Sequence, residues 1–183
     1  MRVRRAARKI GGVTGQGGRG ALLEDLVNFT NEQYRRRGIA LVQKIPTPIT
    51  PISMQGAMIT KAFFTEKSTV DYIGIMEGGR GVAFDAKECH TDTFPLKNVH
   101  RHQVEFLKEF HEYGGAAFLL IYYSEHQKFY MMPYEDLAAF IDRMEAGGRK
   151  SVAWDDLTDS HFLSEGIQTF AVPYIEWIKE AKV

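Results

Sequence analysis

Two short apolar runs, 70–76 and 81–86, are separated by a polar segment that contains two glycines. Runs that favour β structure on either side of such a turn predict an antiparallel hairpin. Alternation along the second strand places Asp85 and Lys87 on one face and its bulkier apolar residues on the other. With direct pairing of the two strands, Asp71 from the first strand joins them. The pattern predicts two acids and one lysine that converge at a sheet edge.

Helical spacing of apolar residues predicts a helix over 21–37 that ends at Gly38. A polar row that starts with Glu24 runs beside its buried stripe. An acid in the first turn ordinarily complements the helix dipole, and this structural interpretation of Glu24 is favoured on the helix alone. The alternative is that the row extends to a site over the sheet. The predicted buried stripe consists of Leu23, Leu26, Val27, Thr30 and Tyr34.

A proline-rich segment follows a predicted strand over 39–45. Its three prolines, at positions 46, 48 and 51, do not fit inside a sheet. We therefore predict a stiff, extended excursion that turns at Gly56 and returns through a β-favouring stretch. The excursion, about 46–67, is either a contact between copies of the chain, a device that reaches into a substrate, or a long loop.

A second helix is predicted over 99–113. Gln103 is the polar residue at the start of its apolar face and is expected to point toward the strand of Asp85, whereas Tyr113 is assigned to the same buried face. His100 and His102, two residues apart, are not expected to face each other on a helix.

The remaining segments complete an α/β fold, a mixed central β-sheet flanked by helices. The continuous apolar run 116–123 predicts a central strand buried on both faces. A strand over 127–132 and a helix after Pro133 follow it. The chain ends in a short helix predicted within 151–157, a loop and a last helix after Pro173. We expect a flexible arm over 1–20 and a single domain over 21–183.

Composition changes this picture at the N-terminus. The chain of 183 residues is 44% hydrophobic, has a net charge of zero and contains one cysteine, Cys89, which excludes an internal disulfide and fits a reducing cytoplasm. It has no apolar run long enough for a membrane span and no secretory signal pattern. Residues 1–61, however, have a net charge of +8, and 1–20 contain six basic residues and six glycines. This arm predicts either phosphate binding or a solubilising tail.

Asp71, Asp85 and Lys87 are the residue types needed for metal-dependent phosphodiester hydrolysis. Carboxylates bind Mg²⁺ through oxygen, and a lysine stabilises charge at the attacked phosphate or orients water. The alternative is an exposed strand face with a cross-strand ion pair, which is the more frequent origin of a lone Asp-Ala-Lys tripeptide.

A helix with an acid, then Asp, then Asp-x-Lys across a hairpin, then a helix with Gln, resembles the core of the PD-(D/E)xK nuclease superfamily, which implies a restriction-endonuclease-like fold. Longer segments are similar to RecU-type Holliday junction resolvases, in order from about residue 18 to the C-terminus. These segments are KIPTP (44–48), STVDYIG (68–74), FDAKE (84–88), FPLKN (94–98), HQ (102–103) and GRKS (148–151).

The resemblance implies a homodimeric, Mg²⁺-dependent endonuclease, with Mn²⁺ as a possible substitute, that cuts four-way DNA junctions symmetrically in recombination and repair. It assigns metal binding to Asp71 and Asp85, catalysis to Lys87, and neighbouring roles to Glu24 and Gln103. The backbone carbonyl of Ala86 is a further expected metal ligand. The excursion corresponds to a stalk that enters the junction.

The resemblance also implies a cytoplasmic, nucleoid-associated protein whose arm contacts DNA and a RecA-type recombinase. One departure is Asp85, where the family usually has Glu. Two alternatives remain: a duplex-specific nuclease on the same core, and a junction-binding protein whose nuclease centre has decayed. The expected DNA contacts are Arg19, Lys44, Lys61, Lys67, Lys97, Arg149 and Lys150.

Overall fold

The structure is a computed structural model that describes residues 21–64, 69–163 and 170–181. The predicted arm with Arg19, and Lys67 near the end of the predicted stalk, lie outside the described residues. No helix within these ranges is long and apolar enough to cross a membrane. The helices are α1 (Ala21–Arg36), α2 (Arg101–Glu112), α3 (Tyr134–Glu145) and α4 (Tyr174–Ala181). The strands are β1 (Ala40–Lys44), β2 (Ile49–Gln55), β3 (Met58–Phe64), β4 (Tyr72–Met76), β5 (Gly81–Cys89), β6 (Thr93–Pro95), β7 (Ala116–Tyr123), β8 (Lys128–Pro133) and β9 (Ser151–Ala153).

The central sheet has five strands in the order β1-β4-β5-β7-β8. β5 and β7 are parallel, and the other neighbours are antiparallel, so the predicted mixed sheet is confirmed. The parallel pair arises because α2 crosses over between β5 and β7. β5 is therefore the middle strand, and our expectation that the acids and the lysine lie at a sheet edge was wrong: Asp85 and Lys87 lie within β5, and Asp71 directly precedes β4.

Each face of the sheet carries its own layer of helices. α1 and α4 pack on one face, against Val82 and Phe84 of β5. α2 and α3 pack on the other face, against Ala83 of β5. This division follows from the two-residue period of the strand, because successive side chains enter opposite cores. The predicted stripe of α1 is confirmed: Leu23, Val27, Thr30 and Tyr34 are buried and Leu26 packs against the core.

Three aromatic rings fix the register of the central strands. Tyr72 of β4 stacks on Phe84 of β5, and Phe84 stacks on Phe118 of β7, with ring centroids 4.8 Å apart in both contacts. The three residues are also partners in the strand pairing. Stacked rings across strands oppose a shift by one residue, since such a shift would turn every side chain to the other face.

The proline-rich excursion is a separate two-stranded hairpin of β2 and β3. Gly56, with φ of +61°, forms the expected turn. The expectation that the prolines exclude a strand was wrong for Pro51, which lies in β2 opposite Ala62. A two-stranded hairpin tolerates proline because its outer edge needs no N–H donor, and the pairing is irregular just after Pro51. Large apolar side chains of this hairpin, including Met58, are exposed.

Two local predictions in the C-terminal half also need correction. Residues 151–157 form β9, paired with β6, and a 3₁₀ turn at Trp154–Asp156, rather than one short helix. Tyr113 is 92% exposed instead of buried, because α2 ends at Glu112 and the chain turns outward there. Tyr174, Ile175 and Ile178 of α4 are buried as predicted.

Candidate active site

The hairpin of β4 and β5 brings Asp71 next to the strand of Asp85. Tyr72, the first residue of β4, pairs with Phe84, so Asp71 lies one position further along, opposite Asp85. The carboxylate of Asp71 accepts a hydrogen bond from the backbone N–H of Ala86 at 3.0 Å. Its carbonyl accepts another from the N–H of Ile45 at 2.8 Å. Asp71 is thus attached to both neighbouring strands.

Asp85 is fully buried, with 0% of its surface exposed. One carboxylate oxygen contacts the Lys87 ammonium at 2.5 Å. The other accepts a hydrogen bond from the side-chain amide of Gln103 at 2.8 Å. The interpretation of this segment as an exposed face with a surface ion pair is therefore wrong, whereas the expectation that Gln103 points at the strand of Asp85 is confirmed.

Gln103 links the carboxylate to the start of α2. Its amide oxygen accepts a hydrogen bond from the backbone N–H of His100, the residue that caps the helix, at 3.0 Å. Because both ends of the amide have partners, its orientation relative to Asp85 is fixed. His100 has an extended backbone, and its ring lies 5.5 Å from that of His102 in a stacked arrangement. The expectation that these rings would not face each other was wrong, because His100 precedes the helix.

Burial dominates the electrostatics of the site. It raises the pKa of Asp85 to about 7, with the Lys87 ammonium lowering and the nearby Asp71 carboxylate raising it. A carboxylate that is desolvated beside a second acid is costly to keep ionised, and a bound cation relieves that cost. The donor chemistry of Asp71 and Asp85, two carboxylates opposite each other on neighbouring segments, therefore fits a hard divalent cation.

Glu24 lies near the end of β1 and has a different partner. Its carboxylate contacts the ammonium of Lys44 at 2.5 Å, and both side chains are partly exposed. Within the described ranges, no three side chains of His, Cys, Asp or Glu are grouped closely enough to hold a metal ion. The structure thus brings together Asp71, Asp85, Lys87 and Gln103, and leaves Glu24 in an ion pair.

The sequence alone did not predict the pairing of Glu24 with Lys44. The two residues are 20 positions apart, and no motif joins them. The only available signal is topological. A strand that follows a helix after a tight turn runs antiparallel to that helix, so the start of α1 meets the end of β1.

The described residues that were expected to contact DNA lie on the surface. Lys44, Lys61, Lys97, Arg149 and Lys150 are all exposed. Arg149 contacts the carboxylate of Asp156 at 3.2 Å, so part of its charge is already neutralised.

Comparison with known proteins gives a family match over most of the chain. The family described as "RecU: Recombination protein U" matches residues 18–180. A Holliday junction resolvase RecU of Bacillus pumilus (strain SAFR-032) is 37% identical over 179 residues, which cover 94% of this chain and 84% of that protein. Proteins of the same name are 38% identical in Geobacillus kaustophilus (strain HTA426), over 87% of this chain and 81% of theirs, and 34% identical in Levilactobacillus brevis (strain ATCC 367), over 97% and 93%.

Among solved structures, the chain is similar to Hjc of Archaeoglobus fulgidus, described as a Holliday junction resolvase from an archaeal hyperthermophile. The TM-score is 0.39 at 12% identity, over 61% of this chain and 77% of that one.

Proposed function

Because this chain belongs to the recombination protein U family, we propose that it is a Holliday junction resolvase, an endonuclease that cuts four-way DNA junctions. The observation that supports this most directly is the buried carboxylate of Asp85, held by Lys87 and Gln103 with Asp71 beside it. An ion pair that only stabilised the fold would not need Asp71 beside it, because this second carboxylate makes the ionised form of Asp85 less favourable.

We infer that Asp71 and Asp85, with Glu24 and the backbone carbonyl of Ala86, hold a divalent cation, Mg²⁺ or Mn²⁺. Magnesium sites in nucleases typically combine one or two carboxylates with a substrate phosphate, and this donor set meets that requirement. When bound, the cation supplies Lewis-acid activation of the attacking water and of the attacked phosphate.

The chain's own residues would position these groups. Gln103 fixes one oxygen of Asp85, and the Ala86 N–H fixes one oxygen of Asp71, so one oxygen of each acid is oriented before a cation arrives. Lys87, whose side chain is 20% exposed, reaches the surface beside Asp85 and would place its charge at the attacked phosphate.

We further propose that the protein acts as a homodimer, because two sites related by a two-fold axis match the symmetry of a junction cut on two strands. The exposed hairpin of β2 and β3 would act as the stalk that enters the junction. The basic arm, whose six cations favour phosphate contacts, would bind DNA and a RecA-type recombinase.

The test is a cleavage assay with Mg²⁺ or Mn²⁺ on a four-way junction and on linear duplexes of the same sequences. We expect paired, symmetric nicks in the junction only. Asp71→Asn and Lys87→Ala should abolish cleavage while junction binding in a gel-shift assay persists.

Equal cleavage of duplex and junction would favour a duplex nuclease, and junction binding without cleavage by the wild type in either metal would favour a decayed centre. Cleavage that survives both substitutions would reject the site.

A further inference from the structure

Lys44 is the partner of Glu24 and lies next to the start of β4, where Asp71 is found. Lys44 is the last residue of β1 and pairs with Tyr72, the residue directly after Asp71. Its ammonium lies 2.5 Å from the carboxylate of Glu24, in the first turn of α1. Glu24 is therefore held by a residue that neighbours the segment of Asp71, and its carboxylate is directed at a cation of the protein itself.

The backbone connects the neighbourhood of Lys44 to Asp71. The N–H of Ile45, the residue after Lys44, donates to the carbonyl of Asp71 at 2.8 Å. Glu24, through its contact with Lys44, is thus held beside the segment that carries Asp71. It is nevertheless not grouped with Asp71 and Asp85 as a metal-binding set among the described residues.

We propose that Lys44 is a positioning residue that exchanges between Glu24 and a backbone phosphate of the DNA junction, so that DNA binding releases Glu24 for the cation. This inference rests on the proposed nuclease function. It adds a coupling between cation binding and junction binding. A cation binds more tightly once a junction phosphate has become the partner of Lys44, and the junction binds more tightly once the cation has become the partner of Glu24.

The strength of the ion pair suits such an exchange. The side chains of Glu24 and Lys44 are 44% and 41% exposed, and ion pairs this exposed typically change an equilibrium by about fivefold or less. A DNA phosphate can replace the carboxylate as the partner of Lys44 at little cost. By linkage, the factor that DNA contributes to cation affinity equals the factor that the cation contributes to DNA affinity.

The first measurement is Mn²⁺ affinity without DNA, from the electron paramagnetic resonance signal of free Mn²⁺. Lys44→Gln should bind Mn²⁺ about two- to fivefold more tightly than the wild type, whereas Lys44→Arg should behave as the wild type. Arg36→Gln is the matched control, because it removes an exposed ion pair with Glu32 on the same helix, away from the site. Equal affinities for the wild type and Lys44→Gln, including no binding to either, would overturn the proposal.

A double-mutant cycle separates exchange from simple repulsion between Lys44 and the cation. In a Glu24→Gln background, Lys44→Gln should leave Mn²⁺ affinity unchanged, because there is no carboxylate to release. If Lys44→Gln tightens Mn²⁺ binding equally in both backgrounds, the effect is electrostatic and the exchange is rejected.

The coupling itself is measured in a Lys87→Ala background, chosen to prevent cleavage. Junction affinity, measured by fluorescence anisotropy, should increase when Mn²⁺ is added. The factor of this increase should be about two- to fivefold larger in the protein with Lys44 than in the protein with Gln at that position. The same factor in both proteins would contradict the coupling. Failure here leaves wild-type junction cleavage intact, whereas failure of the proposed function removes cleavage itself.

Discussion

Asp85 is the site residue whose role the sequence left most open. The family resemblance implies a longer glutamate there, so a decayed centre was an alternative. In the structure the shorter acid still contacts both Lys87 and Gln103 and has no exposed surface. An extra methylene in such a closed position would have to displace packed neighbours. The aspartate is thus matched to its surroundings, which supports a functional site.

Asp85→Asn should stabilise the metal-free protein. The folded-state pKa of Asp85 is raised to about 7, so the wild type loses stability as pH rises from about 4 through 7. Asparagine has no such loss and can still accept the hydrogen bond from Gln103. In EDTA at pH 8 we expect its free energy of unfolding to exceed that of the wild type by about 1–3 kcal/mol. Urea denaturation at pH 8 and pH 4 measures this, and an equal difference at both pH values would contradict it.

Gln103→Ala should reduce activity and stability together. It leaves one oxygen of Asp85 and the N–H of His100 without their partner. Buried groups left unpaired cost about 1–3 kcal/mol, and removal of residues that orient metal ligands lowers activity by about 10–100-fold. Junction-cleavage rates at saturating Mn²⁺ and thermal unfolding measure the two effects. Gln43→Ala, on an exposed position of β1, is the control that should change neither.

At the scale of elements, α4 is attached to α1 by two hydrogen bonds between side chains, one buried and one partly buried. The hydroxyl of Tyr174 donates to the side-chain oxygen of Asn31 at 2.5 Å, and the hydroxyl of Tyr34 donates to Glu176 at 2.5 Å. The chain's last helix therefore completes the core on the face of α1, which carries Glu24 at its start. The pattern of apolar residues predicted both helices but could not predict that they meet, because 142 or more residues separate the partners.

Tyr174→Phe should destabilise the fold without changing the chemistry. It removes only the hydroxyl, leaving the buried oxygen of Asn31 without its donor, at a cost of about 1–2 kcal/mol. Denaturant unfolding should show this loss, while the rate of junction cleavage at 25 °C stays near that of the wild type. Tyr113→Phe, which alters an exposed tyrosine, should leave stability unchanged. Equal stabilities of the two variants would mean that the buried hydrogen bond contributes nothing.

How far the sequence predicted each element depended on whether local pattern or distant contact decides it. α1 and the hairpin of β4 and β5 follow the spacing of their apolar residues, and β7 follows its continuous apolar run; all were predicted within a few residues. β6 and β9 were missed because strands of three residues have too little pattern, and each exists only through pairing with the other. Pro51 was misjudged because the rule against proline applies to strands with two neighbours, whereas β2 has one.

At the scale of the whole molecule, the site residues also divide into those that a local pattern predicts and those whose contacts depend on distant elements. Asp71, Asp85 and Lys87 lie on one hairpin, so a local pattern predicted that they converge. Gln103 was placed correctly because its helix has a clear apolar face. Glu24 was assigned by resemblance, but its contact with Lys44 depends on how two separate elements pack, which a single sequence does not encode locally.

Charge is distributed along the chain so that DNA binding should depend strongly on salt. The net charge is zero, yet residues 1–61 have a net charge of +8. Each phosphate contact adds about 0.9 to the magnitude of the slope of log K against log salt concentration.

Replacing the six Lys and Arg residues of 1–20 by glutamine, in the 183-residue chain, should lower the magnitude of that slope by up to about 5. Because the nuclease residues are untouched, cleavage of pre-bound junction at low salt should continue at the wild-type rate. Fluorescence anisotropy between 50 and about 300 mM salt gives the slope, and an unchanged slope would show that the arm is a solubilising tail.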